Sequence, residues 1–345
     1  MERLRFRSIH TNADFEALTP AWRALWARDS RATLFQTPGW TLAWWRHIGC
    51  GRLLVFAVSI EDRLVGLAPF FVDETAAGPR IGLIGEGISD YIDVLLDDTL
   101  PADIVRAGLR AQLLNAGFVE IHLRDLPSAS PLIADAIGWQ CDPHPGMPCP
   151  VLRLPDRIAD LSSPIPRPML QKLAYHRRLA DRHGGIRVEH ADRSSFERLF
   201  ETLMRLHTAR WSTHGQPGVL ADPSIGALNR EAAFAFLADG LLRLYALHIG
   251  NRIASVFYGM RSKGAFYYYL GGFDPELARF SPGTLIIGHA IEEAVRENAT
   301  EFHFLRGGEA YKYRWGATDR LNVDCAIRLH YSTGTEVQCE PGLTA

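Results

Sequence analysis

Twice along this chain a short polar turn joins two apolar runs, and each time a helix and a further strand follow. In the first half "RLLVFAVSIED" and "RLVGLAPFFVDE" meet at Glu61-Asp62-Arg63; "IGLIGEGISDYIDVLLDD", a helix over 101–116 and the strand "FVEIHLRDL" come after. In the second half "LLRLYALHIG" and "NRIASVFYGMRS" meet at Gly250-Asn251. The strand "GAFYYYLGGFD", the turn "PELARFSPG", the helix "TLIIGHAIEEAVRENA" and the strand "EFHFLRG" complete it. Short polar junctions between β-rich runs are hairpin signals. An order of elements that recurs predicts two copies of one α/β module with mixed sheets, and 345 residues suffice for two domains. Residues 155–168, "PDRIADLSSPIPRP", hold four prolines and few large apolar groups. Read as a linker, they separate an N-terminal module, 1–154, from a C-terminal one, 169–335.

Helical spacing appears in "DFEALTPAWRALWARD" and again after Thr37-Pro38 in "FQTPGWTLAWWRHIG", where proline suits a first helical position. A basic helix, "MLQKLAYHRRLADRHGG", opens the second module and is ended by Gly184-Gly185. Its charged side chains, Lys172, His176, Arg177, Arg178, Arg182 and His183, suit either a solvated face or contact with phosphates. The long helix "SSFERLFETLMRLHTARWSTHG" follows the strand "IRVEHA".

Composition narrows the function classes. Net charge is −2, so the chain as a whole offers nucleic acid no attraction, and any such binding must be local. The five cysteines, Cys50, Cys141, Cys149, Cys325 and Cys339, form no C-x-x-C pair, which predicts free thiols in a reducing compartment. No apolar run approaches the ~20 residues that span a bilayer, and the first residues lack a signal-peptide core. A cytoplasmic location is expected. No H-E-x-x-H, zinc-type Cys/His spacing or G-x-S-x-G elbow occurs, so no metal is expected.

The turn "ARFSPG" has a physical reading of its own. Ser281 can cap the following helix, Pro282 fits its first turn, and Gly283 admits a ligand close to the backbone. No acid lies in the first turn, since Glu292, Glu293 and Glu297 come later. The N–H groups near Thr284 can then receive an anion such as a diphosphate, with Arg279 adding charge. A plain capped helix is the alternative.

The string "FLRGGEAYKYRWGA", residues 304–317, adds an aromatic–basic alternation that suits an anion clamp, a nucleic-acid stripe or an amphipathic strand. With the preceding hairpin and helix, "FHFLRGGEAYKYRWG" resembles the acetyltransferase domain of bacterial CelD-like proteins of the GNAT superfamily, named for cellulose biosynthesis, over roughly 165–320. The "YKYRWG" run also looks like a Phe-Lys-x-x-Phe-Gly run of FemX-type transferases, which carry two GNAT modules. Lys312 falls at the lysine, Trp315 at the second aromatic and Gly316 at the glycine, while Arg314 replaces a small residue. The resemblance implies tandem GNAT-like acyltransferase modules, with acetyl-CoA or another acyl-CoA as donor.

In such a site backbone N–H groups of a splayed strand meet the thioester carbonyl, and Gly271-Gly272 before Phe273 would permit the splay. Candidates for acid and base work are Asp90, Tyr268 and Glu309; candidates for the acceptor are Tyr91, Asp93, Arg306, Tyr311, Lys312, Arg314 and Trp315. His303, between Phe302 and Phe304, fits a core or rim position. Three readings stay open. The first is an acyl-CoA-dependent transferase acting on an amine or hydroxyl of a small molecule or glycan, linked to exopolysaccharide or cell-envelope synthesis. The second is a FemX-like transferase fed by aminoacyl-tRNA. The third is a non-catalytic scaffold of a polysaccharide assembly.

Overall fold

The structure, a computed structural model, describes residues 4–76, 78–212 and 215–331. They divide into two units, Met1–Met147 with Leu321–Ala345, and Pro148–Arg320.

The first unit opens with β1 (Leu4–Ile9), α1 (Asn12–Ala17), α2 (Thr19–Arg28) and α3 (Pro38–His47). The expected single helix over "DFEALTPAWRALWARD" is two, because Pro20 cannot continue α1 but fits the first turn of α2. Thr37 accepts a hydrogen bond from the Trp40 amide and Pro38 starts α3, as the sequence predicts. β2 (Arg52–Ile60), β3 (Arg63–Thr75) and β4 (Gly78–Leu83) follow, with β5 (Leu95–Leu96) on β3. β1, β2, β3 and β4 pair antiparallel in chain order. β2 and β3 read as unbroken apolar runs because both of their faces are buried. α4 (Ala102–Asn115) and β6 (Glu120–Leu126) close this half. Trp22 and Trp40 are fully buried, which accounts for the tryptophan-rich start as core.

β7 (Trp139–Arg153) runs across the boundary into the second unit. The second unit continues with α5 (Arg167–Asp181), β8 (Ile186–His190), α6 (Phe196–Ser212) and α7 (Pro223–Ala238). Then come β9 (Leu242–Ile249), β10 (Arg252–Ser262), β11 (Ala265–Phe273), α8 (Pro282–Arg296), β12 (Glu301–His303) and α9 (Ala310–Tyr313), and β13 (Thr318–Leu329) runs back across the boundary at Leu321 into the first unit. Residues 155–168 lie in this unit, where a 3-10 turn over Ile158–Ser162 buries Leu161, and Ile165 is buried beside it. β8, β9, β10 and β11 again pair antiparallel in chain order.

The same succession therefore occurs twice: a strand, helices, three further antiparallel strands, a helix, a strand. The chain is an α/β protein of two tandem modules with mixed sheets, as the recurring order predicts. The closing strands are exchanged between the halves of the sequence. In the second unit β12 pairs with Val151–Arg153 of β7, and in the first unit β6 pairs with residues 323–328 of β13.

Two of the five thiols depart from expectation. Cys141 and Cys325 are joined as a disulfide within the first unit; Cys50 and Cys149 are free, and Cys339 lies outside the described residues. The physical reason is proximity across strands, since the two Cα atoms lie 6.2 Å apart, within the range a disulfide spans. No helix among the described residues is long and apolar enough to cross a membrane.

Candidate active site of the second unit

The parting of two strands positions this site. β11 and β12 run parallel, but their pairing covers only Ala265–Tyr267 against Glu301–His303. β11 continues to Phe273. The chain after β12 turns instead toward β7: the Phe304 amide donates to Pro150 O and the Gly307 amide to Pro148 O, both at 2.9 Å. Leu305 takes φ +60° in that turn, a conformation costly for a side-chain-bearing residue. On the other edge β11 pairs with β10 through a bulge. Tyr258 faces Leu270 while Gly259 faces Tyr268, so the register shifts by one residue at Tyr269. A bulge bends a strand and increases its local twist, which carries the end of β11 away from its neighbour.

One buried cation organises the turn. Lys312 is 2% exposed, and its Nζ donates to Leu305 O, Arg306 O and Gly307 O at 3.0, 2.8 and 3.0 Å. The Glu309 carboxylate completes the set at 2.9 Å. Of the forms open to the aromatic–basic string the amphipathic strand is not the one adopted: the string is a turn and the short helix α9 wrapped on its own lysine. Trp315 is in the core, Arg314 is exposed, and Tyr311 packs edge-on to Phe304. Arg306 is half-buried and gives its carbonyl to Lys312.

Around the parted strands the side chains converge. Tyr268 stacks on Phe257 at 4.8 Å, and the positive charge of Arg210 of α6 acts on its hydroxyl. Burial pushes the Tyr268 phenol pKa up, against the opposing pull of Arg210; the Glu309 charge adds to the rise. Tyr311 is raised for the same first reason, burial, and feels Tyr268, Glu309 and Arg210 as neighbours. The Arg210 guanidinium also lies 5.5 Å from the Phe273 ring centroid.

α6 reaches this close because β11 presents no side chain there. A Cβ on Gly272 would sit 2.4 Å from the His207 amide nitrogen and 2.6 Å from the Leu206 carbonyl carbon. Gly272 therefore serves helix–strand contact. His207 is buried; burial and the Arg210 charge push its pKa down to about 4. Trp211 Nε1–H donates to His207 Nε2 at 3.0 Å, so the proton of the neutral ring resides on Nδ1. Sequence reasoning singled out none of His207, Arg210 and Trp211. Their spacing, i, i+3 and i+4, places them on one face of a helix and is the signal that could have found them.

The first turn of α8 completes the arrangement. Ser281 does not cap through its hydroxyl, contrary to expectation: its backbone is left-handed, φ +50°, and its carbonyl covers the turn. The Thr284 and Leu285 amides both donate to Ser281 O, at 2.9 and 3.1 Å. Pro282 has no N–H, so Gly283 carries the remaining donor of that turn. A side chain at Gly283 would meet only Phe273 Cδ1, at 3.9 Å. Arg279 is exposed, its guanidinium 4.6 Å from the Phe280 ring centroid. Ser255 Oγ–H holds the turn through Pro282 O, at 3.1 Å.

Asp90, Tyr91 and Asp93 lie in the first unit, all buried. Tyr91 O accepts from Gln36 Nε2 and Asp90 O from Asn322 Nδ2. Asp93 accepts from Ser130 Oγ–H and from its neighbour's amide, Val94, both at 2.8 Å. His303 is buried against Tyr267 and bonded to Glu301, the core position expected of it.

Residues 168–313 match the family model described as an acetyltransferase (GNAT) domain, so the chain carries a GNAT acetyltransferase-like domain. Among solved structures it is similar to FemX, at 15% identity and a TM-score of 0.62, over 92% of this chain and 96% of that one. The C-terminal DUF2156 domain of a putative lysylphosphatidylglycerol synthetase from Agrobacterium fabrum gives 12% and 0.57, covering 92% of each chain. L-PGS from Bacillus licheniformis gives 10% and 0.54, over 84% of this chain and 91% of that one. No curated protein matches the chain.

Proposed function

We propose that the second unit transfers an acyl group from acetyl-CoA or another acyl-CoA to an amine or hydroxyl acceptor, a small molecule or part of a glycan. The observation that carries this reading is the parting of β11 from β12, beside the first turn of α8, where the Gly283 amide is not among the donors taken by Ser281 O. Pantetheine lies along the free edge of β11, the diphosphate meets the Gly283 amide and Arg279, and β11 amides past Tyr267 polarise the thioester carbonyl. The acceptor attacks that carbonyl, a C–N or C–O bond forms and the C–S bond breaks. The acceptor's proton passes to Glu309, directly or through water. Tyr268, kept protonated by burial and facing the charge of Arg210, gives its proton to the departing thiolate. Asp90, Tyr91 and Asp93 take no step in this scheme.

The test is ligand-dependent stabilisation and thiol release. Saturating acetyl-CoA or a longer acyl-CoA raises Tm, as a ligand that prefers the folded chain must. With a panel of amines and sugars, free CoA appears at a rate that Tyr268→Phe lowers about a hundredfold. Gly283→Glu, which brings a negative charge to the diphosphate position, removes the stabilisation without unfolding the apo protein. An acyl-CoA panel that leaves Tm unchanged defeats the reading. Stabilisation by aminoacyl-tRNA instead would move the donor to the second class, and a partner complex without turnover would favour a scaffold.

A further inference from the structure

A second cluster, outside the site just described, brings together three side chains that sequence spacing does not join. His190 ends the edge strand β8. His289 and Glu293 stand four residues apart on α8 and so share a face one turn apart. His190 Nε2 and His289 Nε2 lie 3.1 Å apart, and Glu293 Oε1 is 3.9 Å from His289 Nε2. One donor atom from each of the three falls within 4.8 Å of the others. Ligands at about 2.0–2.1 Å from a tetrahedral zinc are separated by about 3.3 Å, close to the spacing of the two imidazole nitrogens. Tyr245, opposite His190 in the strand register, adds an independent sign. Its ring lies 4.3 Å from His190 and 5.4 Å from His289, and its buried hydroxyl has no hydrogen-bond partner among the described residues.

We propose that His190, His289 and Glu293 bind a divalent transition ion of the zinc class, clasping the edge strand β8 to α8. Two neutral imidazoles and a carboxylate are the donor set such ions favour over magnesium or calcium. His289 is half-buried beneath β8, and the exposed His190 leaves a route from solvent and room for a water ligand. Glu293 now pairs with Arg296, and that pair must open. Arg296 already lies 3.9 Å from Glu292, which receives it when Glu293 turns toward the ion. Glu292 is itself held by Arg177 at 2.8 Å, so the guanidiniums keep a carboxylate partner throughout.

Titration of the metal-free full chain, with Cys50→Ser to remove the exposed thiol, tests this. Zinc chloride is expected to bind one equivalent and raise Tm, magnesium chloride to do neither. Cobalt(II) in its place should give the visible absorption of a four-coordinate nitrogen–oxygen site. His289→Ala weakens zinc binding at least about tenfold. His190→Ala, at an exposed strand end where folding is not at stake, does the same, while His144→Ala on the first unit leaves binding unchanged. Equal zinc affinity in the parent, His190→Ala and His289→Ala overturns the site, as does the absence of binding at millimolar zinc. Neither result depends on the acyl donor.

Discussion

At the scale of single residues, Lys312 shows how far a side chain's role can lie from its appearance in sequence. Beside three aromatics and an arginine it reads as a contact for the acceptor or for an anion; in the fold its three protons are spent on three consecutive carbonyls. Lys312→Met leaves those carbonyls without a donor and Glu309 without a partner, and should destabilise the protein by about 2–4 kcal/mol in urea denaturation. A fully stable Lys312→Met that has lost only acyl transfer would instead make the lysine a ligand contact. Asp93 offers a prediction of the opposite sign. Burial pushes its pKa up to about 7, against hydrogen bonds from Ser130 and Val94 and the charge of Arg31, with Asp29 adding to the rise. Since the folded state holds this proton more tightly than the unfolded chain, the penalty is absent below about pH 4. Stability is lost as pH rises from there through about 7, above which the loss is complete. Asp93→Asn keeps an acceptor and cannot charge. It should raise Tm at pH 8, by up to about 4 kcal/mol in free energy, and flatten the pH dependence between 5 and 8. A Tm lowered equally at pH 5 and pH 8 would refute this account.

Among the elements, the contact of α6 with β11 decides the most. Gly272 has backbone, not a flexible side chain, where its Cβ would go, so Gly272→Ala must push α6 outward. The expected cost is roughly 1–3 kcal/mol or more, and because α6 carries Arg210, acyl transfer should fall further than stability does. Thermal unfolding and thiol-release rates measured on one preparation separate the two effects; an unchanged Tm would show that the helix can yield. The elements also show what could be read in advance. The hairpins β2–β3 and β9–β10 were legible because apolar runs flank polar junctions of two or three residues. The helix α8 was legible from its apolar period and its Pro-Gly start. The bulge at Tyr269 was not, since three successive tyrosines carry no glycine or proline to mark it. Nor was the end of β12 after three residues: Phe304 and Leu305 have strand propensity, and a hydrogen bond to Pro150 from 154 residues away in sequence overrides it. Arg210 escaped notice because a charged residue in an amphipathic helix ordinarily faces water.

For the whole molecule, the repeated order of elements carried the architecture correctly, and the two exchanged strands were what it left out. β7 contains four prolines, at 143, 145, 148 and 150, which argue against a strand in any sequence reading. They are tolerated because Pro148 and Pro150 offer carbonyls to amides of the chain after β12. β13 pairs with β6 from about 200 residues away, a distance at which no local pattern reports. The candidate site followed the same division. Its backbone parts, Gly271 to Phe273 and the α8 start, were visible as unusual local chemistry. Its side-chain parts from α6 and from the lysine-centred turn depend on which segments meet, which spacing alone does not encode.

The exchange of closing strands has a consequence for how the chain emerges from the ribosome. Residues 148–320 form one unbroken stretch and can close as soon as β12 and its lysine turn are out. The first unit, synthesised earlier, still lacks residues 323–328, its partner for β6. The half made first is therefore finished last, and until then the free edge of β6 is the part of the nascent protein most in need of protection from other chains.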